Sequence, residues 1–465
     1  MTNQNILTSA RAHHCRGELN QAQKLYQQAL TEQGETALIL NSLGEIEQLW
    51  DNLTEAQTYY QRANTLATRN QNHAELARSI RNLGELQLGW GDIPAALALS
   101  EQALQIAQDA EATRQIGPCL NNLGLIYRSQ GQISQAKIMH EQALDLTDFE
   151  NLSGLDDYID NEITIEWVHC HNYLGLWYSS QGQLDEARTH YEQALPVAQS
   201  LGIKGETAML LTNLGQIAQH RGDIFTALGN YEQARTLFAH MGVKSSEAGL
   251  LNNIGAIYQG QGVINSALDA YQRALHLTEA AGLKALTATI SSNIGQIYQQ
   301  QGDLERALGC YEQSLKVAQE IGSPGQEALF LSNIARIYQH RQQFEPALTT
   351  YQEALQIYQT LGNRARVALL LNNIGGIYQA QGDFKQALNH YQEALEIDQQ
   401  MGHKLGVARE LMNIGALYVQ QFNHAEAERL LAQAVDLLAE LGNPQLKQAE
   451  AWLQKARAGR TKPVI

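Results

Sequence analysis

Several things are scarce in this chain, and each scarcity closes off a class of function. The four cysteines among 465 residues (Cys15, Cys119, Cys170, Cys310) lie far apart and form no CxxC pair. Neither a disulfide framework nor a zinc module is expected from them. No apolar run approaches the ~18 residues of a membrane span, and the opening stretch MTNQNILTSARAHHCRGELN lacks the apolar core of a signal peptide. Positive charge is scarce too: 32 Lys and Arg against 48 Asp and Glu leave a net charge of −16. Such a chain is poorly suited to binding nucleic acid or an anionic membrane. No phosphate loop, nucleophile elbow or zinc motif is present. The expectation is a soluble, cytoplasmic protein with no enzymatic activity and no cofactor.

What the chain has in abundance is repetition. Glycines fall at Gly44, Gly84, Gly124, Gly175, Gly215, Gly255, Gly295, Gly375 and Gly415, with Ala335 in the one vacant slot. The spacing is 40 residues throughout, except for 51 between Gly124 and Gly175. A second column, from Ala22 and Ala56 to Ala387 and Ala427, is alanine at all eleven positions. Four residues beyond it stands a tyrosine, except at Ser100, His140 and Leu431. The pattern reads as a two-helix repeat. Helix A carries the glycine, a short turn such as Gln381-Gly382-Asp383 follows, and helix B carries Ala-x-x-x-Tyr-x-x-Ala-Leu. Spacings of four and three keep those side chains on one helical face. Gly382 is suited to ending helix A and Asp383 to capping helix B. The small residues are expected to let the two helices approach closely.

Small residue, aromatic, then Ala, Tyr and Ala at these offsets resembles the tetratricopeptide repeat. The 40-residue form with NNIG.IYQ.QGD is similar to the kinesin light chain type, and to the long repeats of bacterial peptide-sensing regulators. Eleven repeats begin near residues 3, 37, 77, 117, 168, 208, 248, 288, 328, 368 and 408. The resemblance implies an all-α, right-handed superhelical α-solenoid of antiparallel helix pairs. The expected layout is a short first repeat over 1–36, repeats two to four over 37–147, an acidic insertion over 148–167, and repeats five to eleven over 168–443. A capping helix over 444–458 and a disordered tail over 459–465 complete it. Leu446, Ala449, Leu453 and Ala456 give the capping helix an apolar stripe. The insertion, with Ser153 as a candidate helix cap, reads either as a partner-specific protrusion or as a longer solvated helix or loop.

At 100° per residue, repeat positions 4, 7, 8 and 11 share one face of helix A, and positions 2, 5, 6, 9, 12 and 13 the other. In the resembling family the second face lines a concave groove. Position 6 holds Asn82, Asn122, Asn213, Asn253, Asn293, Asn333, Asn373 and Asn413; position 12 holds Gln219, Gln259, Gln299, Gln339 and Gln379. Asparagine costs roughly 0.6 kcal/mol of helix propensity against alanine, so its recurrence needs a reason. An amide offers donors and an acceptor at once, which suits the main chain of an extended peptide. The leading expectation is therefore a protein-interaction scaffold gripping a peptide or a partner's disordered segment through an Asn/Gln ladder. The alternative is a peptide-responsive regulator that acts by a change of superhelical pitch. A second use of the asparagines stays open: bonding the neighbouring repeat and setting the pitch.

Two other features carry less. Arg and Lys able to clamp a terminal carboxylate are nearly absent from position 2, where only Arg78 and Arg409 qualify. His169-Cys170-His171 and His13-His14-Cys15 invite a metal reading, but neighbours on a helix point about 100° apart and do not converge on one ion.

Overall fold

The computed structural model describes residues 3–147 and 157–460, with side chains from 6 to 147 and from 164 to 460. Within them the chain forms 23 α-helices, numbered α1 to α23 in chain order, and no strand. Successive helices pair, α1 (Asn3–Cys15) with α2 (Leu19–Gln33) and so on, each pair being one repeat. No described helix is long and apolar enough to cross a membrane. The fold is an all-α solenoid. It divides into two compact lobes, residues 1–283 and 284–465.

Turn chemistry sets the helix boundaries. Gly382 closes α19 (Arg364–Gln381) with φ 81°, and Asp383 then accepts the Gln386 N–H at 3.0 Å to cap α20 (Phe384–Gln400). Asp92, Asp223 and Asp303 cap their helices in the same way. Only glycine takes this left-handed conformation without cost. Five turns nonetheless use another residue: Asp51, Gln71, Glu111, Gln342 and Phe422 all have φ between 52° and 64°.

The core alternates glycine on helix A with tyrosine on helix B. A Cβ on Gly44 would lie 2.5 Å from Tyr60 Cε1, and one on Gly215 2.6 Å from Tyr231 Cε1. The glycine thus makes room for an aromatic ring, a more specific task than the close helix approach expected from sequence. Tyr26, Tyr60, Tyr191, Tyr231, Tyr271, Tyr311 and Tyr351 are among the largest fully buried side chains, and each such ring contributes on the order of 2 kcal/mol by burial. Positions 3 and 10 of helix A are buried as well, as at Leu370 and Ile377. Helix A therefore packs over more than the face carrying positions 4, 7, 8 and 11.

In the first lobe the chain folds back on itself. The turn after α1 meets the end of α12 (Ile224–Met241): a Cβ on Gly17 would lie 3.0 Å from Met241 Cγ. Trp50 Nε1 donates to the Met241 carbonyl at 3.3 Å, and Lys204 Nζ stands 3.9 Å from Glu18. One hydrophobic cluster runs from Ile6, Ala10 and Leu19 to Phe238, Met241 and Val243. Beside this closure lies an open-mouthed chamber of about 950 Å³.

The irregular segment is helical from Asp157: α9 spans Asp157–Ser180, 24 residues. Ser153, the candidate cap, lies outside the described residues. In the second lobe α23 (Leu446–Arg460) buries Ala449, Leu453 and Ala456 against the last repeat. It runs two residues past the expected 458, so Gly459 and Arg460 belong to the helix and not to a tail; residues 461–465 lie outside the described residues.

Candidate functional site

The asparagines of position 6 reach backwards along the chain. Asn213 Nδ2 donates to Asn172 Oδ1 at 2.8 Å, Asn333 to Ser292 Oγ at 3.3 Å, and Asn413 to Asn372 Oδ1 at 3.3 Å. Each acceptor is position 5 of the preceding repeat. Asn122 donates to Ser100 Oγ at 3.0 Å and to the Arg81 carbonyl at 3.5 Å, and Asn82 to Glu45 Oε1 at 3.1 Å. Asn373 bonds Tyr351, again one repeat back. Asn82, Asn122 and Asn333 are buried at 1, 2 and 6 % exposure, while Asn213, Asn253, Asn293, Asn373 and Asn413 are half-buried. A buried amide must find partners, and these find them between repeats. Asn82, Asn213, Asn333 and Asn413 thus act as rivets to the preceding helix A, while Asn122 and Asn373 reach helix B of the preceding repeat.

The glutamines of position 12 are held differently, by a pairing that a helical wheel does not display. Tyr231 Oη donates to Gln219 Oε1 at 2.9 Å, Tyr271 to Gln259 at 3.0 Å, Tyr311 to Gln299 at 3.1 Å and Tyr391 to Gln379 at 2.8 Å. Tyr351 to Gln339 is longer, 3.4 Å, in the one repeat where Ala335 replaces the glycine above the ring. In every case the partners stand twelve residues apart. The tyrosine occupies the amide carbonyl and so fixes which end of the glutamine is available. The amide nitrogens of Gln219, Gln299 and Gln339 carry no hydrogen bond among the described residues, whereas that of Gln379 donates to Gln420 Oε1 at 3.3 Å. Gln219 is exposed and Gln259, Gln299, Gln339 and Gln379 are half-buried.

Charge concentrates where the repeat pattern lapses, around the chamber. Arg78 on α5 (His73–Trp90) sends Nε and Nη2 to the Glu45 carboxylate at 2.8 and 2.6 Å and stands 3.6 Å from Glu75. Burial alone would push Glu45 up; Arg78 outweighs it and holds the carboxyl at about 2. Arg78 is therefore engaged and not a free clamp. His169 lies between Glu206 at 2.9 Å and Glu166 at 3.6 Å. Burial works against its charge, but the two carboxylates prevail and raise the imidazole to about 10. Glu166 also accepts from Asn121 at 2.6 Å. Cys170 receives Asn121 Nδ2 at 3.3 Å, and His171 Nδ1 meets His190 Nδ1 at 3.1 Å. The three consecutive side chains thus turn to three different partners.

In the second lobe a further polar cluster fills an otherwise apolar slot. Glu410, on α21 (Lys404–Gln420) at position 3 of the repeat that begins at 408, is 0 % exposed, bonds Asn372 at 3.3 Å and pairs with Arg409. Arg409 also stands 3.5 Å from buried Asp398, which His403 contacts at 2.9 Å. Burial raises the Glu410 carboxyl to about 7 despite Arg409.

Family models described as tetratricopeptide repeat match residues 35–109, 119–147, 167–240, 246–320, 326–400 and 366–440. The chain belongs to the tetratricopeptide repeat family. Solved structures share the architecture. The apo form of RapI is 15 % identical over 74 % of this chain and 97 % of that chain, with a TM-score of 0.51. A Rap protein complexed with competence and sporulation factor is 17 % identical over 78 % of this chain and 98 % of that chain, also at 0.51. BtubC (BKLC) from P. vanneervenii is 23 % identical over 46 % of this tetratricopeptide repeat chain and 91 % of its own, at 0.43. At these identities the likeness to the two Rap structures is one of fold. No curated protein sequence matches the chain.

Proposed function

We propose that this tetratricopeptide repeat protein is a non-catalytic protein–protein interaction scaffold that takes an extended peptide or disordered partner segment along its helix A face. The observation that carries this reading is the pinned glutamine column. Each tyrosine consumes one carbonyl and leaves an N–H₂ group, so Gln299 and Gln339 form a row of oriented donors 40 residues apart. Pre-orientation removes rotamer entropy that a free glutamine loses on binding. Peptide carbonyls are the complementary partner, because they recur along any extended segment whatever its sequence. The asparagines join in only where an amide hydrogen remains beyond the inter-repeat bond.

The alternative, a peptide-responsive regulator, draws on one feature: the rivets between repeats are side-chain hydrogen bonds. A ligand that exchanges them for its own would alter the spacing of repeats. The test uses a displayed library of random peptides. The Gln299→Ala, Gln339→Ala, Gln379→Ala variant is expected to lose the peptides selected by the wild type; it also frees the hydroxyls of Tyr311, Tyr351 and Tyr391 at about 1 kcal/mol per bond, so binding is read well below the variant's own melt. Retention of those peptides at undiminished affinity overturns the glutamine reading. Small-angle scattering with saturating peptide separates scaffold from regulator: unchanged dimensions favour the scaffold.

A further inference from the structure

The chamber of the first lobe carries an inference that goes beyond the groove reading and is independent of it. Its volume, about 950 Å³, falls at the upper end of the range for small-molecule sites, roughly 300–1,000 Å³. Its walls carry charge that the protein leaves partly unspent. On one group of helices, Arg11 of α1 has no hydrogen bond or ion pair among the described residues. Arg81 of α5 gives Nε and Nη2 to Asn82 Oδ1 at 3.2 and 2.8 Å. It has only long contacts to carboxylates, 3.9 Å to Glu45 and 3.7 Å to Glu85. Its Nη1 donors are unused among the described residues. On the other group, Glu166 of α9 and Glu206 of α11 (Lys204–His220) share the single imidazolium of His169. Two carboxylates around one cation leave negative charge over. The two groups line the same chamber.

Arg11, Arg81, Glu166 and Glu206 are half-buried; charge left without a partner in a partly desolvated place is costly, and a ligand of the opposite sign relieves it. A simple anion would satisfy the arginines and worsen the glutamates; a simple cation would do the reverse. We propose that the chamber binds a small zwitterion of the amino-acid type, its carboxylate at Arg11 and Arg81 and its ammonium at Glu206 and Glu166. Arg78 is excluded from the role, because Glu45 and Ser42 already take its donors. The side chain of the ligand lies against the apolar lining, to which Met209, Phe238 and Met241 contribute.

The test is calorimetry of the full chain against the twenty free amino acids and a set of dipeptides, each up to about 10 mM. At least one is expected to bind saturably. Its N-acetyl and C-amide forms are expected to bind at least about tenfold more weakly, and the free ligand to bind Arg11→Gln or Glu206→Gln protein more weakly by a similar factor. Arg11 has no partner to orphan, so its variant keeps the question answerable should Glu206→Gln fail to fold. The proposal is overturned if no zwitterion binds, if the capped forms bind as well as the free one, or if binding survives both substitutions. The glutamine variants of the second lobe leave this binding unchanged, so failure here and failure of the groove reading are separable.

Discussion

The two lobes are built from one repeat and have diverged in what they do with polar residues. In the second, repeats follow one another every 40 residues and the polar rows are amides. In the first, the opening repeat is short, one interval stretches to 51, and His140 and Ser100 replace tyrosines. There charge is added to the amide rows: Arg78, Glu45, Arg81, His169 and Glu206 line one chamber. A regular array sets the same side chains at a fixed interval along a line, whereas an array that closes on itself brings together residues of distant repeats.

The comparison breaks most sharply at Arg78. Arg78→Met strands Glu45 in the first lobe and is expected to cost about 3 kcal/mol or more, read by chemical denaturation. The second lobe's nearest analogue, Gly375→Val, pushes a side chain into Tyr391, whose Cε1 lies 2.8 Å from where a Cβ would stand, and should cost about 2–3 kcal/mol.

Acidity sharpens the contrast between Glu45 and Glu410. Glu45 is held near 2 in the folded state, so its contribution is present above the ordinary carboxyl range and lost as pH falls toward 2. Its neighbour across the chamber, His169, raised to about 10, contributes below its ordinary value of 6.5 and loses that contribution as pH rises through 10. Glu410 of the second lobe runs opposite to Glu45. Raised to about 7, it favours folding while protonated, and that advantage disappears as pH climbs from 4.5 to 7. Glu410→Gln should therefore stabilise the second lobe at pH 8 by on the order of 1–2 kcal/mol, and melts of the variant from pH 5 to 8 should lose this dependence.

The smallest expected effects are at a turn and at the one glycine slot filled by alanine. Gln342→Gly relieves a left-handed residue, φ 59°, and should raise the melting temperature by an amount worth about 0.5–1 kcal/mol. At Ala335 the ring already tolerates a methyl group, and Ala335→Gly should change stability by less than about 1 kcal/mol in the same melt.

Much of the fold was legible because the period is written in glycine and alanine. The helix boundaries followed from Gly382 and Asp383, and the packing column from Gly215 and Tyr231. The tyrosine–glutamine bond was not read from the sequence, although its two columns stand twelve residues apart, because a wheel of one helix shows no contact with the next. The site was less legible. Position 6 reads as a surface row on a helical wheel, yet neighbouring repeats cover it, and a wheel contains no neighbours. Closure of the first lobe joins Gly17 to Met241, which no periodicity signals. Glu410 stands in a slot that holds Leu370 one repeat earlier, so its burial follows from position and not from residue type.

The central claim is that the two amide rows divide the work, asparagine joining repeats and glutamine facing a partner. Its most direct test is the thermal melt of Asn213→Ala, Asn333→Ala, Asn413→Ala, three residues whose bonds cross between repeats. The account predicts a clear loss of stability, about 1 kcal/mol per bond. An unchanged melt accompanied by loss of peptide binding would contradict it.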